Sequence, residues 1–398
     1  MTMNLFNLNN HIEIPIFPKP TRDLTFTARF VWDLSDSLTA TQVPSGGDYW
    51  HINTSYIPLQ TSTAGYNSHV SAGSQTCSPA YPGQAITISF DSIIDENHTI
   101  HLFKNGPVQT TVGLQCNAGT ASDPTNDGWL LTFTTTNQNC QGYSCITAVT
   151  ETDPAGNIYS SGNAIVTNPN GNKILGSGIA NGATFTDSTG NTVFTTQNPF
   201  PQVRYTYSYP LQSGGTTSVR VNYTSGFTPQ NNFGCNIAYE DTGGSTIAMP
   251  TSIGLPDGSQ YSLVYESANG TYPSTAVTGR IHSITVPAGG TYTYTYSGSN
   301  PTFPGTNGVN CGDGKPMILT ITGSDGSVWT YNRSMSSCVV NCTGPWSTTV
   351  VTDPACNDTI YNFDANGDQM QAQNYQGTAG TANCSPTTKT LLQTIVSC

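Results

Sequence analysis

Histidines are the side chains in this sequence with the clearest capacity for chemistry. Imidazole is the usual general base, proton carrier or metal ligand near neutral pH, and His98 and His101 form a close pair among six histidines. Residues three apart on a strand face opposite sides, so these two rings converge only if a turn intervenes. His98 falls in a predicted turn and His101 in the strand that follows it. We interpret them as a turn histidine and a strand histidine rather than as a site.

Carboxylates and cysteines offer two other kinds of site. The run Asp364-Ala-Asn-Gly-Asp368 lacks the spacing and the terminal Glu of a calcium-binding EF-hand, so it predicts a turn. The 11 cysteines are an odd number, so at least one is unpaired. Their closest spacings, Cys338 to Cys342 and Cys140 to Cys145, are not CxxC pairs and have no histidine nearby. We expect disulfides or buried thiols there rather than zinc.

The sequence contains none of the common catalytic or nucleotide-binding patterns, such as GxSxG, HExxH, a phosphate-binding loop or a dinucleotide fingerprint. The chain has 23 acidic residues, and most of those that can be assigned to an element lie in predicted turns, where Asp side chains cap the backbone. We therefore predict no catalytic residue, no cofactor-binding residue and no metal ligand. The chain is predicted not to be an enzyme.

Charge and hydropathy limit the partners and the location. The net charge of -12 repels phosphate backbones, so nucleic acid is not an expected partner. No run of 18 apolar residues occurs, and we predict no membrane span. The first twenty residues lack the pattern of a signal peptide, while the cysteines suit an oxidising compartment. We expect a trimmed fragment of a secreted or cell-surface protein.

Composition and alternation both predict an all-β fold with little helix. Only 9% of the residues are charged, while the chain has 40 Gly and 25 Pro, a mixture that interrupts helices and suits turns. In Tyr292-Thr293-Tyr294-Thr-Tyr296 every second residue is aromatic, which is the period of a strand with one covered face. We expect these three tyrosines to pack on one face and the threonines to point the other way.

Short turns rich in Asp, Pro, Gly and Asn precede several of these strands, as at 153–157 and 168–172. In the last third of the chain the turns recur every 30 to 36 residues or so, the length of one supersecondary unit. The sequence thus predicts antiparallel hairpins stacked edge to edge into one curved or spiralling sheet. We divide the chain into an irregular β-rich region (1–140), divergent hairpin repeats (141–250) and more regular repeats (251–398).

The segment Gly279-Arg-Ile-His-Ser-Ile-Thr-Val-Pro-Ala-Gly-Gly-Thr-Tyr-Thr-Tyr-Thr-Tyr296 resembles an RHS/YD repeat of large bacterial proteins. Such repeats run from a Gly-Arg-aliphatic start through a turn to a Thr-Tyr-Thr-Tyr strand. The segment departs from the pattern because it ends in Tyr-Ser rather than Tyr-Asp. Weaker copies at 251–265 and 319–331 agree with it, and 4–16 and 351–363 resemble the N-terminal region of these proteins.

This resemblance implies a wall segment of a hollow β shell that encloses or displays a C-terminal effector. Its partners would be the neighbouring repeats and the C-terminal domain of a longer parent protein. The apolar, uncharged run Leu391–Val396 would then be an edge strand that lacks a neighbour. Two alternatives stay open. Exposed aromatic residues would favour a surface adhesin that binds cell-surface glycans, and two carboxylates ~5 to 10 Å apart would favour a β-helical carbohydrate-active enzyme.

Overall fold

The computed structural model describes residues 2–21, 24–33, 38–43, 47–52, 59–61, 65–73, 85–95, 100–106, 108–112, 119–135, 146–160, 164–176, 182–197, 204–230, 233, 238–239, 246–298, 308–310, 315–335, 345–364 and 367–397. Within these ranges every regular element is a β-strand. The predicted all-β fold is therefore confirmed. No helix in the described ranges is long and apolar enough to cross a membrane.

The first ten strands form small sheets. They are β1 (Thr2–Asn4), β2 (Asn9–Thr21), β3 (Leu24–Asp33), β4 (Leu38–Val43), β5 (Gly47–Ile52), β6 (Leu59–Thr61), β7 (Gly65–Gly73), β8 (Ala85–Ile94), β9 (Ile100–Leu102) and β10 (Val108–Val112). One sheet has the order β1-β2-β3-β6, and another has the order β10-β8-β7 with β9 paired to β8.

The remaining strands follow from residue 119 onwards. They are β11 (Gly119–Pro124), β12 (Leu130–Thr135), β13 (Ile146–Thr152), β14 (Ile158–Ser160), β15 (Ala164–Thr167), β16 (Lys173–Leu175), β17 (Thr184–Asp187), β18 (Thr192–Gln197), β19 (Arg204–Pro210), β20 (Thr216–Pro229), β21 (Ala238–Tyr239), β22 (Ile247–Gly254), β23 (Gln260–Ser267), β24 (Ala276–Thr285), β25 (Thr291–Ser297), β26 (Val309–Asn310), β27 (Lys315–Pro316), β28 (Ile318–Gly323), β29 (Val328–Met335), β30 (Ser347–Thr352), β31 (Asp358–Phe363), β32 (Gln369–Gln376) and β33 (Thr390–Val396).

Twenty of these strands form one large sheet, a meander of hairpins. They follow one another from β11 to β33 in chain order, while β21 joins β5 and β4, and β26 pairs with β27. Neighbours along this order are antiparallel, and β20 also pairs in parallel with β24. Strands that are consecutive in the sequence are thus neighbours in space, as stacked hairpins require. So wide an open sheet accumulates strand twist and curls, which agrees with the predicted curvature.

Tight turns close the hairpins at one end of the sheet. In the turn between β13 and β14, the Gly156 N–H donates to the Asp153 carbonyl (2.9 Å), and Asp153 Oδ1 accepts the Asn157 N–H (2.8 Å). Gly156 has a φ of 86°, a conformation that a Cβ makes costly. A glycine N–H donates in the same way to the carbonyl of the first turn residue in the turns that join β15 to β16, β17 to β18 and β22 to β23. The recurring Asp/Asn and Gly residues therefore fix where each strand reverses.

The aromatic strand β25 has one covered face, with one departure from expectation. Tyr294 and Tyr296 are buried, and Tyr294 lies opposite Ile321 of β28. The prediction that Tyr292 packs with them was wrong, because its side chain is 45% exposed. Tyr292 is the second residue of β25, and its partner in β28 is Gly323, which has no side chain to cover the ring.

The turn between β1 and β2 docks on the C-terminal part of the large sheet. Arg333 Nε donates to the Phe6 carbonyl (2.7 Å), and the Thr349 hydroxyl donates to the Leu5 carbonyl (2.6 Å). The Phe6 ring meets Phe363 edge to face, with 5.7 Å between ring centroids. These contacts tie residues from the first turn to strands β29, β30 and β31.

Candidate functional site

His101 is held between two carboxylates and an aromatic ring. It lies on β9, is buried, and donates from Nδ1 to Asp127 Oδ2 at 2.5 Å. Its Nε2 lies 3.5 Å from Asp95 Oδ2. The imidazole stacks on Trp129, with 4.9 Å between ring centroids. His101 is therefore the strand histidine that was predicted, while His98 lies outside the described residues.

Asp127 is oriented by the turn that joins β11 to β12. The Thr125 hydroxyl donates to Asp127 Oδ1 (2.6 Å), and the Trp129 N–H donates to that same hydroxyl (2.9 Å). Burial acts to raise the pKa of Asp127. Hydrogen bonds from Thr125 and His101 lower the pKa, as does the positive charge that His101 can carry. Together these effects outweigh burial, so the pKa of Asp127 lies below its ordinary value. Asp127 is thus ionised at neutral pH and fixes the imidazole orientation.

A third acidic side chain, Glu151, lies on the covered face of the neighbouring strand. The register of β13 places it opposite Leu131 of β12 and Tyr159 of β14. Tyr159 continues the aromatic stack, since its ring centroid is 5.8 Å from that of Trp129. Glu151 is 3% exposed, and burial raises its pKa to about 7. The side chain is therefore partly protonated at neutral pH.

These groups hold two hairpins together. A carboxylate–histidine pair can serve as a base relay, but a relay needs a reacting group within reach of the second ring nitrogen. Here that nitrogen faces Asp95, and the ring is covered by Trp129. Backbone bonds accompany the cluster, since Asn126 N–H donates to the Leu102 carbonyl (3.1 Å). The cluster thus joins hairpin β8–β9 to hairpin β11–β12.

The other predicted site candidates are turns or lie outside the described residues. Asp364 Oδ1 accepts the Asp368 N–H (2.9 Å), which confirms the predicted turn. In the described part of the chain, no group of three His, Cys, Asp or Glu side chains is placed to hold a metal ion. The close cysteine spacings at 338–342 and 140–145 lie among residues that the structure does not describe.

A buried ion pair explains the Gly-Arg start of the most regular repeat. Arg280 is 1% exposed, and it donates from Nε and Nη2 to the two carboxylate oxygens of Glu266 at 2.6 and 2.7 Å. Its guanidinium carbon lies 4.0 Å from the ring centroid of Tyr296 and 4.7 Å from that of Phe233. Bidentate pairing and ring contacts stabilise a guanidinium that would otherwise be costly to bury. The motif is therefore part of the packing between β23, β24 and β25.

The last strand of the large sheet leaves one edge open to solvent. Among the described strands β32 is the one neighbour of β33. Every residue of β33 is exposed, and four of them are large and apolar, with exposed fractions from 46% to 65%: Leu391, Leu392, Ile395 and Val396. The strand contains no charged residue and no proline, which are the usual features that block strand addition. The prediction of an edge strand is confirmed.

Side-chain hydrogen bonds link β31, β32 and β33 up to this edge. The Thr359 hydroxyl donates to Asn374 Oδ1 (3.1 Å), and Asn374 Nδ2 donates to Gln393 Oε1 (3.2 Å). These three residues lie on β31, β32 and β33, and they form a ladder across one face. Cross-strand pairs of this kind contribute to the pairing of neighbouring strands. The ladder ends on Gln393 at the open edge.

A disulfide and an ion pair fix the segment that leads into β33. Cys356 and Cys384 form a disulfide, which confirms that the chain contains at least one. Cys356 has a φ of 61° in the turn between β30 and β31, where the related turns have glycine. Lys389 lies 2.9 Å from Asp358 Oδ2 and 4.4 Å from the ring centroid of Tyr375. The open edge is thus anchored at its start.

A comparison with models of protein families gives no match to this chain, and no curated protein matches its sequence.

Proposed function

We propose that this chain is a non-catalytic structural module, a length of β wall of the RHS/YD-repeat kind from a secreted or cell-surface protein. On this proposal the stacked hairpins form part of a shell that encloses or displays a C-terminal effector domain of a longer parent protein. Its partners are the neighbouring repeats and that effector domain. The observation that carries the proposal is the edge strand β33, which is uncharged and exposed, and which ends an amide ladder.

Three features support a structural role. Each hairpin of the large sheet contacts mainly the hairpins before and after it, as in repeat proteins that build extended walls. The two buried ionisable side chains His101 and Arg280 each bind a carboxylate of a neighbouring strand or turn. The RHS/YD resemblance of residues 279–296 falls on strands β24 and β25, inside that sheet.

Association between copies of the chain tests whether the edge of β33 can pair with another strand. An open, uncharged edge pairs readily with another strand, so the wild-type chain should associate as its concentration rises, with a second copy standing in for the next hairpin. A Thr394→Lys variant places a charge in the middle of β33 and should stay monomeric. Sedimentation velocity over a wide concentration range measures both.

A matched variant controls for the added charge itself. Thr295→Lys changes the same residue type at an exposed position of the interior strand β25, and it should associate as the wild type does. The proposal fails if the wild type remains monomeric at all concentrations, or if Thr394→Lys and Thr295→Lys behave alike.

A surface adhesin or glycan-binding module is the second candidate function, and the polar groove described in the next subsection favours it. The antiparallel order of the large sheet does not favour a β-helical enzyme, whose strands are parallel.

A further inference from the structure

A polar groove lies on the large sheet, over strands β19, β20, β22 and β23. Its volume is about 430 Å³, and its lining combines two arginines with hydroxyl and amide side chains. The lining contains Arg204, Arg220, Ser218, Asn222 and Gln260, and it contains no carboxylate. It lies on the face opposite to the buried aromatic residues, because Arg204 alternates with those residues along β19.

The groove exists because one position in a row of side chains is a glycine. Across the sheet, Arg220 of β20 lies opposite Gly254 of β22, which in turn lies opposite Gln260 of β23. A side chain at 254 would fill the space between the arginine and the glutamine. A Cβ built at Gly254 meets nothing closer than the Arg220 carbonyl oxygen at 3.9 Å. The space above this glycine is therefore open rather than required by backbone packing.

The backbones of the two arginines lie diagonally across neighbouring strands. Arg204 pairs with Asn222, which is two residues from Arg220 on the same face, so the two arginine backbones are roughly 7 to 8 Å apart. Arg204 Nε donates to Asn222 Oδ1 (3.0 Å), and Asn222 Nδ2 donates to Ser252 Oγ (2.9 Å). Arg204 is thus held in place through one of its five N–H groups. Neither arginine forms an ion pair with another described residue.

This arrangement is unusual for the chain, which has 11 Lys and Arg against 23 Asp and Glu. Asp257 stands between two lining residues, Pro256 and Gly258, but does not itself line the groove. Its Oδ1 accepts the Ser259 hydroxyl (2.6 Å) and N–H (2.9 Å). The groove therefore presents positive charge and hydrogen-bond donors on a molecule that is negative overall, a combination that selects an anionic ligand of small size.

We propose that this groove binds a terminal acidic sugar, with the carboxylate of a hexuronic acid between Arg204 and Arg220. Guanidinium groups bind carboxylates through paired hydrogen bonds, while Ser218, Asn222 and Gln260 match the hydroxyl groups of a sugar ring. The volume lies at the small end of ligand pockets, which suits a sugar unit better than a protein segment. The proposal does not depend on the structural role of the sheet.

Calorimetric titration of the full chain with glucuronate tests this site. Low ionic strength keeps the electrostatic attraction unscreened. We expect saturable binding of glucuronate and no measurable binding of glucose at the same concentration, and weaker binding of sulfate, which offers charge without the ring hydroxyls. Arg220→Gln should weaken glucuronate binding at least about tenfold, the effect of losing a charge-assisted hydrogen bond pair.

Gly254→Thr fills the groove without removing a charge, and it should abolish binding. Thermal unfolding shows whether this variant folds, as the space at Gly254 leads us to expect. Lys173→Gln removes one positive charge from an exposed strand position outside the groove and should bind as the wild type does. The proposal is overturned if glucose or sulfate binds as tightly as glucuronate, if glucuronate does not bind, or if Arg220→Gln and a folded Gly254→Thr retain full affinity.

Discussion

Replacing Glu151 with glutamine should stabilise the protein above neutral pH. Glu151 is buried opposite Leu131 and Tyr159, and burial raises its pKa from an ordinary 4.5 to about 7. Between those two pH values the folded chain holds a proton that the unfolded chain has released. The free energy of unfolding therefore falls as the pH rises through this window, and it levels off above about pH 7.

The size of the effect follows from the same shift. One pKa unit corresponds to about 1.4 kcal/mol, so ionising Glu151 in the folded state removes about 3 kcal/mol of stability between pH 5 and pH 8. Glutamine has the shape of the protonated acid and does not titrate. Glu151→Gln should match the wild type near pH 5 and exceed it by up to about 3 kcal/mol at pH 8.

Hydrogen exchange of the backbone amides of β13, corrected for intrinsic rates, measures this difference locally. Local measurement matters because a long sheet need not unfold as one unit. The difference between variant and wild type removes the contributions of other titrating groups. These include His282, whose pKa burial lowers, and which therefore acts in the opposite direction below pH 6.5.

Asp325→Asn provides the control. Hydrogen bonds from Ser327 hold the pKa of Asp325 below its ordinary 3.8, so this carboxylate is ionised in both states from pH 5 to pH 8 and the variant should follow the wild type. If Glu151→Gln loses as much protection between pH 5 and pH 8 as the wild type does, the side chain is not buried as described and the reasoning is refuted.

Two further predictions concern the packing of the repeats. Tyr294→Ala should lower the free energy of unfolding by about 3 kcal/mol because Tyr294 is buried. Thr293→Ala, on the other face of the strand, should lower it by less than about 1 kcal/mol. Equal losses in urea unfolding would mean that the strand register is misassigned. Glu266→Gln should lower the free energy of unfolding by about 3 to 5 kcal/mol because it leaves the buried Arg280 guanidinium without its counter-charge. Replacing both partners, as in Glu266→Leu with Arg280→Met, should recover much of that loss in thermal unfolding. A double variant as unstable as Glu266→Gln would contradict this account.

Local patterns were sufficient to predict the alternating aromatic strands and the turns rich in Asp, Asn and Gly. Period-2 alternation in β25 and the Asp/Asn-Gly turns determine backbone conformation within a few residues, so both can be recognised without a structure. The exposure of Tyr292 could not be predicted in this way. It depends on Gly323, which lies 31 positions later in the chain and becomes its neighbour only through the pairing of β25 with β28.

The clusters of polar residues depend on the same long-range information. His101 was recognised, but its partner Asp127 comes from another hairpin, and no spacing rule connects them. The burial of Glu151 could have been predicted from the sequence, because Glu151 is two residues from Val149 and so shares the covered face of β13. The groove at Gly254 required the register of four strands, since none of its residues is unusual in its own segment.

The order of strands in the large sheet has a consequence for how the chain acquires its structure. Each strand of the large sheet pairs with the strand of that sheet that comes before it in the sequence, although β21 lies between β20 and β22, and β26 and β27 lie between β25 and β28. Little chain entropy is therefore lost in closing loops before most pairings form. The sheet can therefore grow vectorially, one hairpin at a time, from its N-terminal side. The contacts of Phe6 with Arg333 and Phe363 form only after β29 and β31 are in place, so the first turn of the chain is among the last parts to reach its final position.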